Sequence, residues 1–267
     1  MDDQTWDKVH QPCPLCDSSD AVGVNQDGSA KCFSCGAFMP NYEQACEGKD
    51  MAVETKPIET KQPDSVNEGN FIALTDRGIS KATAQKYGVK AVQDLKGQVI
   101  KHLYPYYNGH ELSATKCRNT VTKDFFVQGT YNETGLFGQQ LFKSGKYVTI
   151  TEGECDAMAA YELLGSKWAV VSIKRGAQGA VRDIKESLEF FDDFENVIIA
   201  FDNDKAGKDA SVKVARLFKP GKARILTLPN GWKDPNDMLR SNKHKDFVES
   251  WWSAKVYTPS GVINISE

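Results

Sequence analysis

The chain has 267 residues, 40% of them hydrophobic and 26% charged, enough for one large domain and a small one, with an ordinary globular composition. Its N-terminus, MDDQTWDKVHQ, carries no basic segment and no apolar run, and no stretch approaches the roughly 20 apolar residues a membrane span requires, so a cytoplasmic protein without signal peptide or membrane contact is expected. The net charge of −3 speaks against a nucleic-acid partner, but the average hides an asymmetry: residues 70–150 hold eleven Lys/Arg against five Asp/Glu, while residues 1–46 are acidic. A basic middle beside a carboxylate-rich region suits an enzyme that holds phosphates and metal ions together.

Four of the seven cysteines, Cys13, Cys16, Cys32 and Cys35, form two C-x₂-C pairs fifteen residues apart. Each pair turns two thiolates toward one ion, and two pairs complete a tetrahedral site, so residues 1–46 are expected to be a ribbon around one structural Zn²⁺. The odd cysteine count, in a chain without a leader, argues against a disulfide framework. Between the pairs, Asp27-Gly28 predicts a hairpin turn. Residues 47–69 lack a sustained apolar period and read as a flexible linker.

Beyond the linker, Ser80 predicts an N-cap ahead of a short helix over residues 81–87, with Gly88 as its stop. Residues 98–142 alternate apolar and polar around Gly and Asn, predicting a meander of short strands. After Lys146 the texture becomes strand, turn, helix, repeated. YVTIT, WAVVSI, NVIIAF and ARILTLP are strands; GECDAMAAYELLG, AVRDIKESLEFFDDF and KAGKDASVKVARLF are helices. This alternation predicts an α/β fold with a parallel sheet, whose functional residues gather at the carboxyl ends of the strands.

YVTIT runs into Glu152, Gly153, Glu154, Cys155 and Asp156; NVIIAF runs into Asp202, Asn203 and Asp204, followed by Lys205, Ala206 and Gly207. Carboxylates at the ends of apolar strands repel each other unless a cation lies between them, and oxygen ligands suit Mg²⁺. Either acidic element alone is unremarkable; both, each at a strand end with a helix following, point to a metal site. Asp234 and Asp237, in KDPND, add a further candidate ligand or simply cap a helix.

The set Glu152-Gly-x-x-Asp156 with Asp202-x-Asp204-x-Ala206-Gly207 resembles the TOPRIM signature of bacterial-type primases, type IA and type II topoisomerases and certain nucleases. With a Cys₄ ribbon ahead of it, and with ALTDRGISK, LFG at residues 136–138, TEGECD, FDNDKAG and KDPND in this order, the chain resembles the primase half of T7-type primase-helicases over nearly its whole length outside the linker.

That resemblance implies a fold: an N-terminal zinc ribbon (residues 1–46), the linker (47–69), a basic mixed β/α subdomain (70–145), a TOPRIM catalytic subdomain (146–256) and a tail (257–267) leading toward a helicase linker. It implies synthesis of short RNA primers from NTPs on single-stranded DNA by Mg²⁺-dependent nucleotidyl transfer. Glu152, Asp202 and Asp204, with Asp234 contributing, would hold two Mg²⁺ ions, Mn²⁺ being able to substitute, and Asp156 would support them. Lys116, Arg118 and Lys123 match the family's phosphate-contacting positions. Lys174 and Arg175, beside Gly176, stand where the family has a glycine-rich turn with other side chains. In the ribbon, Asp27, Ser29, Lys31 and Phe33 are candidates for contacting template bases. Partners implied are the DNA template, a replicative helicase, fused or separate, and a DNA polymerase that takes over the primer; the location would be the host cytoplasm.

The chain has no P-loop sequence, so the primase half of a longer protein and a stand-alone primase both fit, with a monomer expected and ribbon exchange open. A TOPRIM nuclease is the alternative reading; a topoisomerase fragment would need a separate domain with a Tyr nucleophile, and a binding module would use the metals for structure alone.

Overall fold

Asp27-Gly28 turns the chain because Gly28 takes φ +82°, a backbone region that L side chains rarely enter, and Asp27 accepts hydrogen bonds from Ser29 within the turn. The computed structural model describes residues 6–14, 20–32, 38–47 and 69–259. The chain divides into two units, Met1–Gln62 and Pro63–Glu267. In the first, β1 (Lys8–Gln11), β2 (Val22–Val24), β3 (Ala30–Cys32) and β4 (Phe38–Met39) form an antiparallel sheet in chain order, followed by the short helix α1 (Tyr42–Cys46). Its small core holds Cys13, Val22, Val24, Ala30, Cys32 and Met39. The expected linker falls almost wholly on residues 48–68, outside the described residues, as do Cys16, Phe33, Cys35 and the tail from residue 260.

The second unit opens with α2 (Lys81–Lys86). The Ser80 side chain accepts from Thr83 N at its start, and Gly88, φ +73°, follows its end. An antiparallel sheet comes next: β5 (Lys90–Gln93), β6 (Val99–Asn108), β7 (Glu111–Asn119) and β8 (Phe125–Gly129), again in chain order. The meander is therefore present, but β6 and β7 are long, at 10 and 9 residues, not short. Pro105 reads as an interruption in the sequence. It is tolerated because β5 pairs with β6 only as far as Leu103, so the missing N–H faces no partner on that side.

The parallel sheet is built from β9 (Gly145–Thr151), β10 (Ala169–Ser172), β11 (Phe194–Ala200) and β12 (Ala223–Ile225), in the order β10-β9-β11-β12. Its helices are α3 (Glu154–Leu163), α4 (Gly176–Glu186), α5 (Leu188–Asp192), α6 (Lys205–Ala215), α7 (Pro235–Arg240) and α8 (His244–Trp252). A last strand, β13 (Lys255–Val256), closes the β12 edge antiparallel. Alternate strand residues feed two cores. Val148, Ile150, Val171, Val197 and Ile199 pack on the side of Ile184 and Val214, while Val170, Ile198 and Ala200 join Met158, Met238 and Trp251. Polar Thr149 tolerates the second side because Trp251 Nε1 donates to its hydroxyl at 2.9 Å.

The helix expected over residues 180–194 is two helices, the first starting earlier at Gly176. The break at Ser187 turns Phe191 into the core against Phe218, with Phe190 over Phe194. The helix capped in KDPND is α7, while α8 and β13 lie beyond the predicted elements.

Candidate active site

Parallel order brings the C-terminal ends of β9 and β11 side by side, since Thr151 pairs with Ala200. Glu152 leaves the first strand, and Asp202 follows the second after Phe201. Glu152 Oε1 accepts from Ala177 N at 3.2 Å, at the start of α4, while its Oε2 is buried without a hydrogen-bond partner. Burial raises the Glu152 carboxyl above its ordinary value, and Asp202 adds to the rise. Burial likewise raises Asp202, against the pull of Lys233, whose Nζ lies 3.0 Å from Asp202 Oδ2. Asp156, one turn into α3, is raised well above its ordinary value by burial and by Asp234 and Asp202. Its Oδ1 accepts from Asn236 N at 3.3 Å.

The remaining acids are turned to local work. Asp204 caps α6 by accepting from Gly207 N at 2.8 Å, and Asp234 caps α7 by accepting from Asp237 N at 2.8 Å. Among the described residues no three His, Cys, Asp or Glu side chains converge as a ready metal cluster. The donor set still fits a hard divalent cation. It consists of carboxylate oxygens, one of them buried and unpartnered, in groups whose ionised form is only partly compensated.

The predicted phosphate-binding residues separate into two sets. Lys116, on β7, reaches the first turn of α3: its Nζ lies 2.7 Å from Glu154 Oε1, which also accepts from Tyr106 OH at 2.6 Å. Burial raises the Glu154 carboxyl, but the Lys116 ammonium and Tyr106 outweigh it and hold the group below its ordinary value. Lys116 and Arg118 both stand over the Phe125 ring, at 4.9 and 5.3 Å. Arg118 Nε is buried without a hydrogen-bond partner. Lys123 is exposed on the β7–β8 turn with φ +65°.

Lys174 and Arg175 are both engaged by groups of their own neighbourhood. The Lys174 ammonium is buried; it donates to Thr134 O at 2.5 Å and lies 3.7 Å from Glu186, and burial lowers its pKa. The Arg175 guanidinium is bound to Asp183 and, at 3.1 Å, to Asn132 Oδ1. Both are tied to carboxylates on α4, so what they present toward the strand ends is the backbone at the start of that helix. In the N-terminal unit, Asp27 Oδ1 takes Ser29 N at 2.9 Å and Ser29 Oγ at 2.6 Å, closing their own turn. Lys31 is exposed on β3, flanked by buried Ala30 and Cys32.

Three site residues had not been read from the sequence. Lys233 was hidden because KDPND reads as a turn. Glu154 was hidden because it lies between two more obvious acids. Asn236, whose Nδ2 donates to Arg77 O at 2.8 Å, ties α7 to the 74–79 turn, a contact that spans 159 residues.

Residues 149–239 match a family model described as Toprim-like. Over 96% of its length the chain is 34% identical to a DNA helicase/primase of Enterobacteria phage T3, of which it spans 45%. Its fold matches the crystal structure of the primase fragment of the bacteriophage T7 primase-helicase, with TM-score 0.64 and 32% identity, covering 92% of this chain and 99% of that one. It also matches, with TM-score 0.64 and 34% identity over 71% of this chain and 94% of that one, a structure of T7 lagging-strand DNA polymerase interacting with primase domains bound to an RNA/DNA hybrid. Identity of 34% over 96% of its length, and a likeness that covers nearly all of the T7 fragment, place this chain in the family of the T7-type primase fragments.

Proposed function

We propose that the chain is a DNA primase that synthesises short RNA primers from NTPs on a single-stranded DNA template. The observation that carries this reading is Glu152: a half-buried carboxylate whose Oε2 is enclosed without a hydrogen-bond partner, set beside Asp202 at the ends of two neighbouring parallel strands. Glu152, Asp202, Asp204 and Asp234 are the residues that would hold Mg²⁺, the last two after giving up their caps. Bound there, the ions supply positive charge to the attacking 3′-hydroxyl, the α-phosphate and the leaving pyrophosphate.

The chain's own residues do the rest. Lys116 and Arg118, on a strand next to the site, take phosphate oxygens; Arg118 offers fork geometry and Lys116 a point charge. Phe125 offers its face to a base beside them. Asp156 sits behind these acids, its Oδ1 held by Asn236 N. The backbone N–H groups opening α4, one already given to Glu152, face the same strand ends and suit an anion.

In the N-terminal unit, Cys13 and Cys32 are both buried in the small core. With Cys16 and Cys35 they complete the ligand set of one structural Zn²⁺. A ribbon tethered through residues 47–69 would raise the local concentration of template and select its sequence through Lys31 and Phe33. The names of the relatives support a helicase, fused or separate, and a DNA polymerase as partners, and the reaction takes place in the host cytoplasm.

The test is primer synthesis on mixed-sequence single-stranded DNA with labelled NTPs and Mg²⁺. Template-dependent short RNAs are expected from the wild type and none from Asp202→Asn. Cys32→Ser is expected to keep dinucleotide synthesis while losing template preference. DNA degradation in place of RNA synthesis would identify a TOPRIM nuclease instead.

A further inference from the structure

Glu154 belongs to neither the predicted metal ligands nor the predicted phosphate contacts, yet it is almost fully buried in the middle of the acidic turn, between Glu152 and Asp156. A carboxylate is removed from water at a cost unless each of its oxygens is answered. Here one oxygen takes two donors: Tyr106 OH at 2.6 Å from β6 and Lys116 Nζ at 2.7 Å from β7. Tyr106 is itself buried and is fixed edge-on against Tyr131, with ring centres 4.8 Å apart. The acid is therefore held by an aromatic scaffold that does not depend on Lys116, and Lys116 is held by the acid.

The lysine is placed in two directions at once. Glu154 fixes its ammonium at the turn that carries the strand-end carboxylates, and the Phe125 ring, 4.9 Å away, flanks it. An ammonium has three donors and Glu154 occupies one, so two remain for a ligand. Its side chain keeps 17% exposure, which leaves it reachable. A lysine on a long flexible stem loses rotamer freedom when it is fixed, and fixing it before the ligand arrives removes that cost from binding.

We infer that Glu154 is a positioning residue: it anchors Lys116 beside the carboxylate site so that the ammonium receives a phosphate of the incoming nucleotide. This rests on the proposed nucleotidyl-transfer reading. It differs from a purely structural role in one respect, since the effect of Glu154 on nucleotide must pass through Lys116.

The experiment uses the full chain with Glu154→Leu, Glu154→Gln, Lys116→Met and the double variant Glu154→Leu/Lys116→Met. NTP dependence of primer synthesis, equilibrium binding of ATP with Mg²⁺, and thermal melting are measured on each. Glu154→Leu is expected to raise KM and the ATP Kd about tenfold, as an order-of-magnitude effect of losing one preplaced charged hydrogen bond, with kcat changed less than about threefold. Glu154→Gln keeps an oxygen for both donors and is expected to recover most of that loss. The double variant should bind ATP no worse than Lys116→Met alone.

Losses that multiply in the double variant, or a lowered melting temperature with unchanged KM and Kd, would reduce Glu154 to a packing partner. If the wild type binds ATP but makes no RNA, the primase reading falls, while the anchor is still decided by the Kd values. If the wild type binds no ATP, the anchor is overturned as well.

Discussion

The ammonium of Lys233 stands 3.0 Å from Oδ2 of Asp202, so a largely exposed lysine answers part of the charge of a strand-end carboxylate. A divalent cation at Asp202 must compete with it. At this separation in a water-like surrounding the attraction is on the order of 1 kcal/mol, about fivefold in affinity. Lys233→Met is therefore expected to tighten Mn²⁺ binding by roughly three- to tenfold, read by titration calorimetry or by loss of the free-ion resonance signal. Unchanged or weaker binding would show that Lys233 does not oppose the metal.

Glu152, Asp156 and Asp202 are all raised above their ordinary values, by burial first and then by one another and their acidic neighbours. Groups raised in the folded state contribute stability that is fully present below their unfolded values and is lost as pH rises through the folded ones. The metal-free chain is thus expected to lose stability from these groups as pH rises above their ordinary values of 4.5 and 3.8. Mg²⁺ is expected to restore it. At about ten times its Kd the ion should raise the melting temperature near pH 7.5 by roughly 2–4 °C. The increment should shrink as the pH falls toward those ordinary values, where protons compete. Asp202→Asn should melt no lower than the wild type without Mg²⁺ and should gain little from it.

Gly207 opens α6 directly behind Asp202. A Cβ there would stand 2.2 Å from the Asp202 carbonyl oxygen, closer than any real contact. The same glycine donates its N–H to Asp204. Gly207→Ala is expected to destabilise the chain by at least about 1–3 kcal/mol through overpacking, and to weaken Mn²⁺ binding because Asp202 must shift. Urea titrations beside metal binding check both; an alanine tolerated in stability and affinity would contradict the close approach.

Asp76 lies 3.0 Å from Nε2 of the fully buried His102, whose Nδ1 meets Tyr104 OH at 2.8 Å. Burial raises the Asp76 carboxyl, but His102 and Arg77 outweigh it and leave it lowered. Stability from a lowered carboxylate is present above its unfolded value, 3.8, and is lost as pH falls through the folded one. Asp76→Asn is expected to cost about 1–3 kcal/mol at pH 7, and the gap to the wild type should narrow as the pH falls below 3.8. Denaturant midpoints at pH 7 and in acid decide it; a gap independent of pH would assign the cost to packing.

Much of this architecture is legible in the amino acids because local patterns and long-range needs agree. Thr149 and Thr151 alternate with Val148 and Ile150, the α2 cap sits at Ser80, and the turn at Asp27-Gly28 needs no partner to be recognised. The acidic turns are legible for the same reason: a run of apolar and β-branched residues ending abruptly in Glu152, or in Asp202, marks a strand end wherever it packs. The partners of Lys174 and Arg175, Thr134 and Asp183, are not legible there because packing rather than sequence neighbourhood sets them.

By itself the sequence determined the order of the elements, the acids that terminate two strands and the paired cysteines. All three depend on spacing within a few residues. Only the tertiary structure decided which acids meet, because Glu152 and Asp202 are fifty residues apart and come together through the β9–β11 pairing. It also decided that Lys116 reaches Glu154, that Lys233 reaches Asp202, and that Asp204 and Asp234 turn back to cap their helices. Those choices follow from charge and burial summed over neighbours distant in sequence, which no local pattern encodes.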